Sequence, residues 1–294
     1  MTIESFRAEL PHGITLECRA CGPRDAPVLV FLHGFPEAAF IWDEMLAQFG
    51  ARYRCVAPNL RGFGGSSAPV EVEAYRAKPL LQDVAALIHQ LGAPVEAVIA
   101  HDWGGAVAWH LGIQAPQLAK RLVMINSPHP GPFLRDLQSD PAQQAASAYM
   151  NFLVRPDAEA LLSENDYARL WPFFRQIGGD AAWLTPEVQQ RYREVWSRGL
   201  TGPLNYYRAS PMKPATASDD AVTKLKLEPA QITVRLPTTV VWGDADIALP
   251  PKLVDGLEQW VPQLRLVRVP GASHWIVHEQ PQRVAQEIEA ALAR

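Results

Sequence analysis

Cysteine is scarce in this sequence: only Cys18, Cys21 and Cys55 occur in 294 residues. So small and odd a count argues against a disulfide framework and fits a reducing, cytoplasmic compartment. No apolar run approaches the roughly 18 residues of a membrane span. The stretch Met1 to Glu9 carries Glu4 and Glu9 and no apolar core, so no secretory leader is expected. Neither charge sign dominates: Lys and Arg number 27, Asp and Glu 31, and the net charge is −4. That argues against nucleic acid or an anionic membrane as the main partner. Repeats and low-complexity segments are missing as well. What remains is a chain that is 48% hydrophobic and 20% charged, the balance of a packed globular protein.

The patterning is regular at both ends of the chain. Ile14 to Cys18 alternates, as a half-exposed strand does. Val28 to Leu32 is continuously apolar, which suits a strand buried on both faces, and Tyr53 to Ala57, Val95 to Ala100 and Leu122 to Ile125 read the same way. Helical patterns lie between them. In the clearest, Leu80, Leu81, Val84, Leu87, Ile88 and Leu91 form one stripe that Gly92 stops. Strand and helix in alternation imply a mostly parallel sheet with helices on both faces. The rhythm breaks at Ser127-Pro128-His129-Pro130-Gly131-Pro132 and resumes with strands at Thr238 to Trp242 and Leu264 to Val269 and a terminal helix through Val284, Ile288, Ala291 and Leu292. The intervening stretch is helical in pattern and rich in aromatics, with Trp171, Trp183, Trp196 and five of the seven tyrosines. It reads as an insertion over an apolar cavity, as a second small core, or as both. The expected division is a core domain of residues 1–130 and 237–294 and a helical cap of residues 131–236.

Three loops carry the chemistry. Ala100-His101-Asp102-Trp103-Gly104-Gly105 follows a buried strand and opens a helix. Small residues around a central acid form a sharp strand-to-helix elbow that holds the acid up at a helix N-terminus. Asp102 is then a nucleophile, or merely a helix N-cap. His33-Gly34-Phe35-Pro36 ends a neighbouring strand, where a backbone N–H can face the elbow and share an oxyanion with the N–H of Trp103. Trp242-Gly243-Asp244-Ala245-Asp246 and Gly271-Ala272-Ser273-His274 place acids and a histidine just past later strands. Nucleophile, acid and histidine thus follow in the chain order of an α/β-hydrolase. Two further spacings invite a metal reading. Cys18 and Cys21 lack a second pair, and His274 with His278 lacks the helix and glutamate of a zinc site, so no metal is expected.

With these motifs on the page, the sequence resembles the α/β-hydrolase superfamily, and within it the epoxide hydrolases with an aspartate nucleophile. The resemblance runs over nearly the whole chain. It rests on His33-Gly34-Phe35-Pro36, Asn59-Leu60-Arg61-Gly62-Phe63-Gly64-Gly65-Ser66, His101-Asp102-Trp103-Gly104-Gly105, Gly243-x-x-Asp246 and His274-Trp275. Haloalkane and fluoroacetate dehalogenases share these core motifs. The insertion separates them: Gly202-Pro203-Leu204-Asn205-Tyr206-Tyr207-Arg208 is similar to the lid motif of epoxide hydrolases, and Tyr149 to Pro156 resembles the segment of the partner tyrosine. The arginine that follows the nucleophile in defluorinases is Trp103 here. Asn59 stands where aspartate is usual, and Ala100 where glycine is usual.

The resemblance implies an eight-stranded, mostly parallel sheet and an inserted helical cap. It implies Asp102 as nucleophile, His274 as base, and Asp246, rather than Asp244, as the acid that orients it. Tyr149 and Tyr207 become the acids on the epoxide oxygen, and the N–H groups of Phe35 and Trp103 the oxyanion hole. Phe35, Trp103, Tyr149 and Tyr207 are expected to line the pocket. The expected reactants are a small apolar epoxide and water, with no cofactor, no nucleic acid and no membrane, in a monomer or homodimer. The alternatives are a haloalkane or haloacid dehalogenase on the same triad and, more remotely, a non-catalytic ligand-binding relative.

Overall fold

The computed structural model describes residues 2–176 and 181–294, so residues 177–180 of the expected cap lie outside it. Eight strands form one sheet: β1 (Glu4–Glu9), β2 (Thr15–Cys21), β3 (Val28–Leu32), β4 (Arg54–Pro58), β5 (Ala97–His101), β6 (Leu122–Ile125), β7 (Thr238–Gly243) and β8 (Leu264–Val269). Their order is β1-β2-β4-β3-β5-β6-β7-β8. The β1–β2 and β2–β4 pairs are antiparallel, and every pair from β4 through β8 is parallel. The runs read as doubly buried form β3, β4, β5 and β6, which are buried at every position, though β4 starts at Arg54 and leaves Tyr53 half-buried before it. β1 is the strand the periodicity missed. Its sequence, Glu-Ser-Phe-Arg-Ala-Glu, puts charges on an edge strand with only Ala8 fully buried. Val95 and Glu96 precede β5 rather than belonging to it, and Val95 makes only an isolated bridge to Ala119.

The first helices are α1 (Asp43–Phe49), α2 (Ala77–Leu91) and α3 (Asp102–Gln114). The predicted stripe buries Leu80, Val84, Leu87 and Ile88 of α2, and Gly92 ends the helix in the left-handed region at φ 94°. Between β6 and β7 every regular element among the described residues is helical: α4 (Pro130–Ser139), α5 (Pro141–Ala146), α6 (Tyr149–Leu153), α7 (Ala158–Tyr167), α8 (Trp171–Gln176), α9 (Pro186–Trp196), α10 (Thr201–Ala209), α11 (Ala221–Lys224) and α12 (Pro229–Ile232). Two more, α13 (Ile276–Glu279) and α14 (Pro281–Leu292), close the chain. Among the described residues no helix is long and apolar enough to cross a membrane.

The insertion has an aromatic core of its own that runs into that of the sheet. Phe174 packs 4.7 Å from both Tyr192 and Trp275, 5.4 Å from Trp183 and 6.2 Å from Trp196, centroid to centroid. Trp275 follows β8, so the aromatic cluster of the insertion is continuous with the packing around the sheet. Cys18 and Cys21, three residues apart on β2, enter different apolar clusters, because an odd separation on a strand puts side chains on opposite faces. All three cysteines are buried free thiols.

Candidate active site

The parallel part of the sheet reverses direction of growth at β3, which pairs with β4 on one side and β5 on the other. Such a switch opens a crevice at the carboxyl ends of the strands, where ligands bind in α/β sheets. The loop after β3 and the elbow after β5 meet there. Asp102 sits at φ 50°, and the preceding His101 is extended. A left-handed residue with a side chain costs about 1–2 kcal/mol, and close packing around the turn enforces it. A Cβ on Gly34 would lie 2.1 Å from Asp102 Oδ1, and one on Gly104 would lie 2.5 Å from the His33 carbonyl. The Asp102 side chain caps no helix. Its Oδ1 instead accepts the Phe35 N–H at 2.7 Å. The N-cap reading is therefore excluded by where the carboxylate points.

His33 fixes that loop. One ring nitrogen meets the Gly34 carbonyl at 2.9 Å, and the other accepts the Leu60 N–H at 3.0 Å. Burial pushes its pKa down to about 4, so the ring is neutral and each nitrogen has a defined role. The motif is thus more than a plain turn: it aims the Phe35 N–H. No hydrogen bond from the Trp103 N–H to the Asp102 carboxylate occurs among the described residues. The Trp103 ring also differs from expectation. It stands behind the cavity wall, edge-on to Tyr207 at 5.1 Å and to Tyr206 at 5.5 Å. The helical direction of α3 carries it away from the crevice and under α10.

His274 and Asp246 converge from the loops after β8 and β7. The His274 Nδ1 lies 2.7 Å from Asp246 Oδ2, and its Nε2 lies 3.6 Å from Asp102 Oδ2. Asp246 is fully engaged: Oδ1 accepts the N–H groups of Ala248 and Leu249 at 2.9 and 2.8 Å. Burial opposes charge on His274, but the Asp246 charge and hydrogen bond, followed by Asp102 and Glu37, outweigh it and hold the pKa up at about 9. Asp244 is elsewhere, paired with Arg268 at 2.9 Å.

A small cavity of about 10 Å³ lies over Asp102, lined by Asp102, His274, Tyr149 and Tyr207 among others. Tyr207 is buried at 3% exposure. Burial first, then Tyr149 and Asp102, raise the Tyr207 phenol well above its ordinary value. Burial, then Asp102 and Asp246, raise Tyr149 likewise. Both phenols are therefore protonated donors throughout the ordinary pH range. Tyr206 does not reach the cavity, since its hydroxyl donates to the Arg61 carbonyl at 2.9 Å.

Two residues of this region, Asn126 and Glu37, were not singled out in the sequence. Asn126, at φ 39° just past β6, donates to Asp246 Oδ2 at 2.7 Å and accepts the Gly243 N–H at 2.9 Å. Glu37, fully buried, receives His101 at 3.1 Å, the Tyr192 hydroxyl at 3.0 Å and His278 at 2.6 Å. His101 in turn holds the His274 carbonyl at 2.9 Å. His278, the other half of the H-x-x-x-H, thus serves Glu37 and not the nucleophile. The position of Asn126 directly before a breaker cluster at a strand end was the one clue available for it.

A carboxylate aimed into a crevice, a base with an orienting acid behind it, and paired phenols opposite can together attack a carbon, protonate the departing oxygen and then hydrolyse the resulting ester. Residues 27–281 match the family model of the alpha/beta hydrolase fold. The chain belongs to the α/β-hydrolase family and, within it, to the epoxide-hydrolase branch. It is 38% identical over 283 residues to the AB hydrolase superfamily protein YfhM of Bacillus subtilis, with 94% of each chain covered. Epoxide hydrolase 4 of Mus musculus is 32% identical over 277 residues, covering 92% of this chain and 74% of that one. A solved epoxide hydrolase from metagenomes of hot environments superposes with a TM-score of 0.88 at 38% identity, over 99% of both chains.

Proposed function

We propose that the protein hydrolyses an apolar epoxide to a vicinal diol through an ester on Asp102, with the helical insertion 131–236 acting as the cap. The observation that carries this reading is the pair of raised, protonated phenols facing a carboxylate across one cavity. An epoxide needs a nucleophile on carbon and an acid on oxygen, because its leaving group is an alkoxide. A halide leaves without a proton, so a dehalogenase has no use for two buried phenols.

In the first half-reaction an Asp102 oxygen attacks one ring carbon and the carbon–oxygen bond opens. Tyr149 and Tyr207 donate to the departing oxygen, which ends as a hydroxyl. In the second, neutral His274 takes a proton from water and the hydroxide adds to the Asp102 carboxyl carbon. The Phe35 N–H is already within 2.7 Å of a carboxylate oxygen and is suited to hold the oxyanion, with the Trp103 N–H as second donor. Collapse expels the alkoxide, which takes the proton held on His274, and the second proton of the attacking water leaves the Asp102 carboxyl to restore the phenol that opened the ring, so carboxylate, imidazole and phenols are all recovered and epoxide plus water account for the diol. No cofactor or metal takes part. Three free buried thiols fit a cytoplasmic setting.

The test separates the leaving groups. Tyr149→Phe and Tyr207→Phe each remove one donor while keeping the ring, and each should slow diol formation by about 10²–10³-fold. Halide release from haloalkanes or fluoroacetate should be absent in the wild type. Undiminished epoxide opening in the double variant, or halide release that survives it, overturns the reading.

A further inference from the structure

One residue lining the cavity, Phe173, has no part in this chemistry. Phe35, Phe173, Tyr149 and Tyr207 form a closed circuit of rings, with centroids 5.9, 5.8, 6.2 and 5.2 Å apart in turn. Every contact in the circuit is edge-to-face, at 78°, 86°, 76° and 84°. The space they bound with Asp102 and His274 is about 10 Å³, room for roughly one water molecule. Any epoxide is larger than water, so a wall must yield to admit it.

Three of the four rings are committed. The backbone of Phe35 is tied to Asp102, Tyr207 is a buried residue of α10, and Tyr149 must stay aimed at the oxygen. Phe173 is held differently. Its carbonyl accepts the Trp275 Nε1–H at 3.3 Å, and its neighbour Phe174 is fully buried in the aromatic core. Truncating a phenylalanine buried in that way costs about 3–5 kcal/mol, so α8 does not withdraw as a unit. The half-buried ring of Phe173 is left to move by rotation about its own side-chain bonds, which frees little space.

We infer that Phe173 is the specificity-determining residue of this site, a plug that confines it to small terminal oxiranes with a short aliphatic substituent and turns away aryl-bearing ones. The inference rests on the epoxide reading, and the experiment keeps the two apart. Wild-type full-length protein, Phe173→Ala, Phe173→Leu and the control Phe174→Leu are compared by kcat/KM for diol formation from 1,2-epoxybutane and from a naphthyl glycidyl ether. Wild type favours epoxybutane. The ratio of naphthyl ether to epoxybutane should rise by on the order of ten-fold or more in Phe173→Ala, and by less in Phe173→Leu, since one or two methylenes of pocket space are worth about 10–200-fold. Phe174→Leu should lower Tm and leave the ratio where it was. That contrast separates a wall of the site from a residue that merely supports the fold. Should the alanine variant fail to fold, the leucine variant carries the test by itself. A wild type that opens both substrates equally well, or a ratio unmoved in the foldable Phe173 variants, overturns the inference and leaves the epoxide reading standing. A wild type that opens neither overturns both.

Discussion

Converting Asp102 to its ester removes a negative charge from beside His274, and that loss should separate the two half-reactions by pH. In the resting protein His274 is held up at about 9, so near neutrality it is an imidazolium, and an imidazolium cannot take a proton from water. Alkylation calls on the Asp102 carboxylate and the two raised phenols but not on the His274 base, and is expected to be level from about pH 6 to pH 8. Once the ester forms, the Nε2 contact at 3.6 Å is to a neutral group. At effective dielectric constants between about 80 and 20, a unit charge at that separation is worth about 1–5 kcal/mol. Its loss shifts the protonation equilibrium of His274 toward the neutral base by about one to three powers of ten. The nucleophile thus keeps the base protonated until the moment the base is needed. Single-turnover stopped-flow, read by the fluorescence of Trp275 against the cavity, follows both steps. Decay of the alkyl-enzyme should rise with pH to a plateau, and its midpoint should fall at least one pH unit below the titration of His274 measured by NMR in the free protein. Coincident midpoints, or a decay that slows as pH rises through this range, would refute the reasoning.

Two further outcomes follow from the same geometry. Gly34→Ala puts a Cβ 2.1 Å from Asp102 Oδ1, so alkylation should be lost even where circular dichroism shows a folded chain; an active, folded variant refutes the close approach. Stability should be greatest near pH 6.5–7. His274, raised above its unfolded value, contributes stability below that value and loses it as pH climbs through about 9, whereas His33 and His129, held near 4 by burial, lose theirs as pH falls below about 6.5. Calorimetry across pH 5–10 checks this, and His274→Gln should flatten the alkaline limb only.

The parts legible in the sequence were those whose physics is local. Buried parallel strands announce themselves as unbroken apolar runs, and an elbow by small residues around one acid. β1 was invisible because an exposed edge strand needs no such run. Asp102, Asp246 and His274 could be singled out because each lies in a loop or turn just past a strand. Asn126, Glu37 and Phe173 could not, because what defines them is a partner far along the chain: Asp246 for the first, His278 and Tyr192 for the second, Trp275 for the third. The Trp103 ring was misplaced for a related reason. Its position in the motif specifies the turn, while the direction of its side chain depends on α10 packing above it.

The placement of the insertion inside the sheet sets an order of assembly. β6 pairs with β7 through Leu122↔Thr238 to Ile125↔Val241, and all the helices from α4 to α12 lie between the two strands in the chain. At ribosomal rates of about 5–20 residues per second, β6 waits roughly 5–20 seconds for its neighbour. During that interval it is an apolar strand with an open edge, the template on which another chain can add. Asp102 is by then already made, and Asp246 and His274 are not. Yield on refolding or overexpression should therefore be governed by how soon β7 docks, and substitutions at Thr238 to Val241 should cost soluble protein well before they cost activity in the molecules that fold.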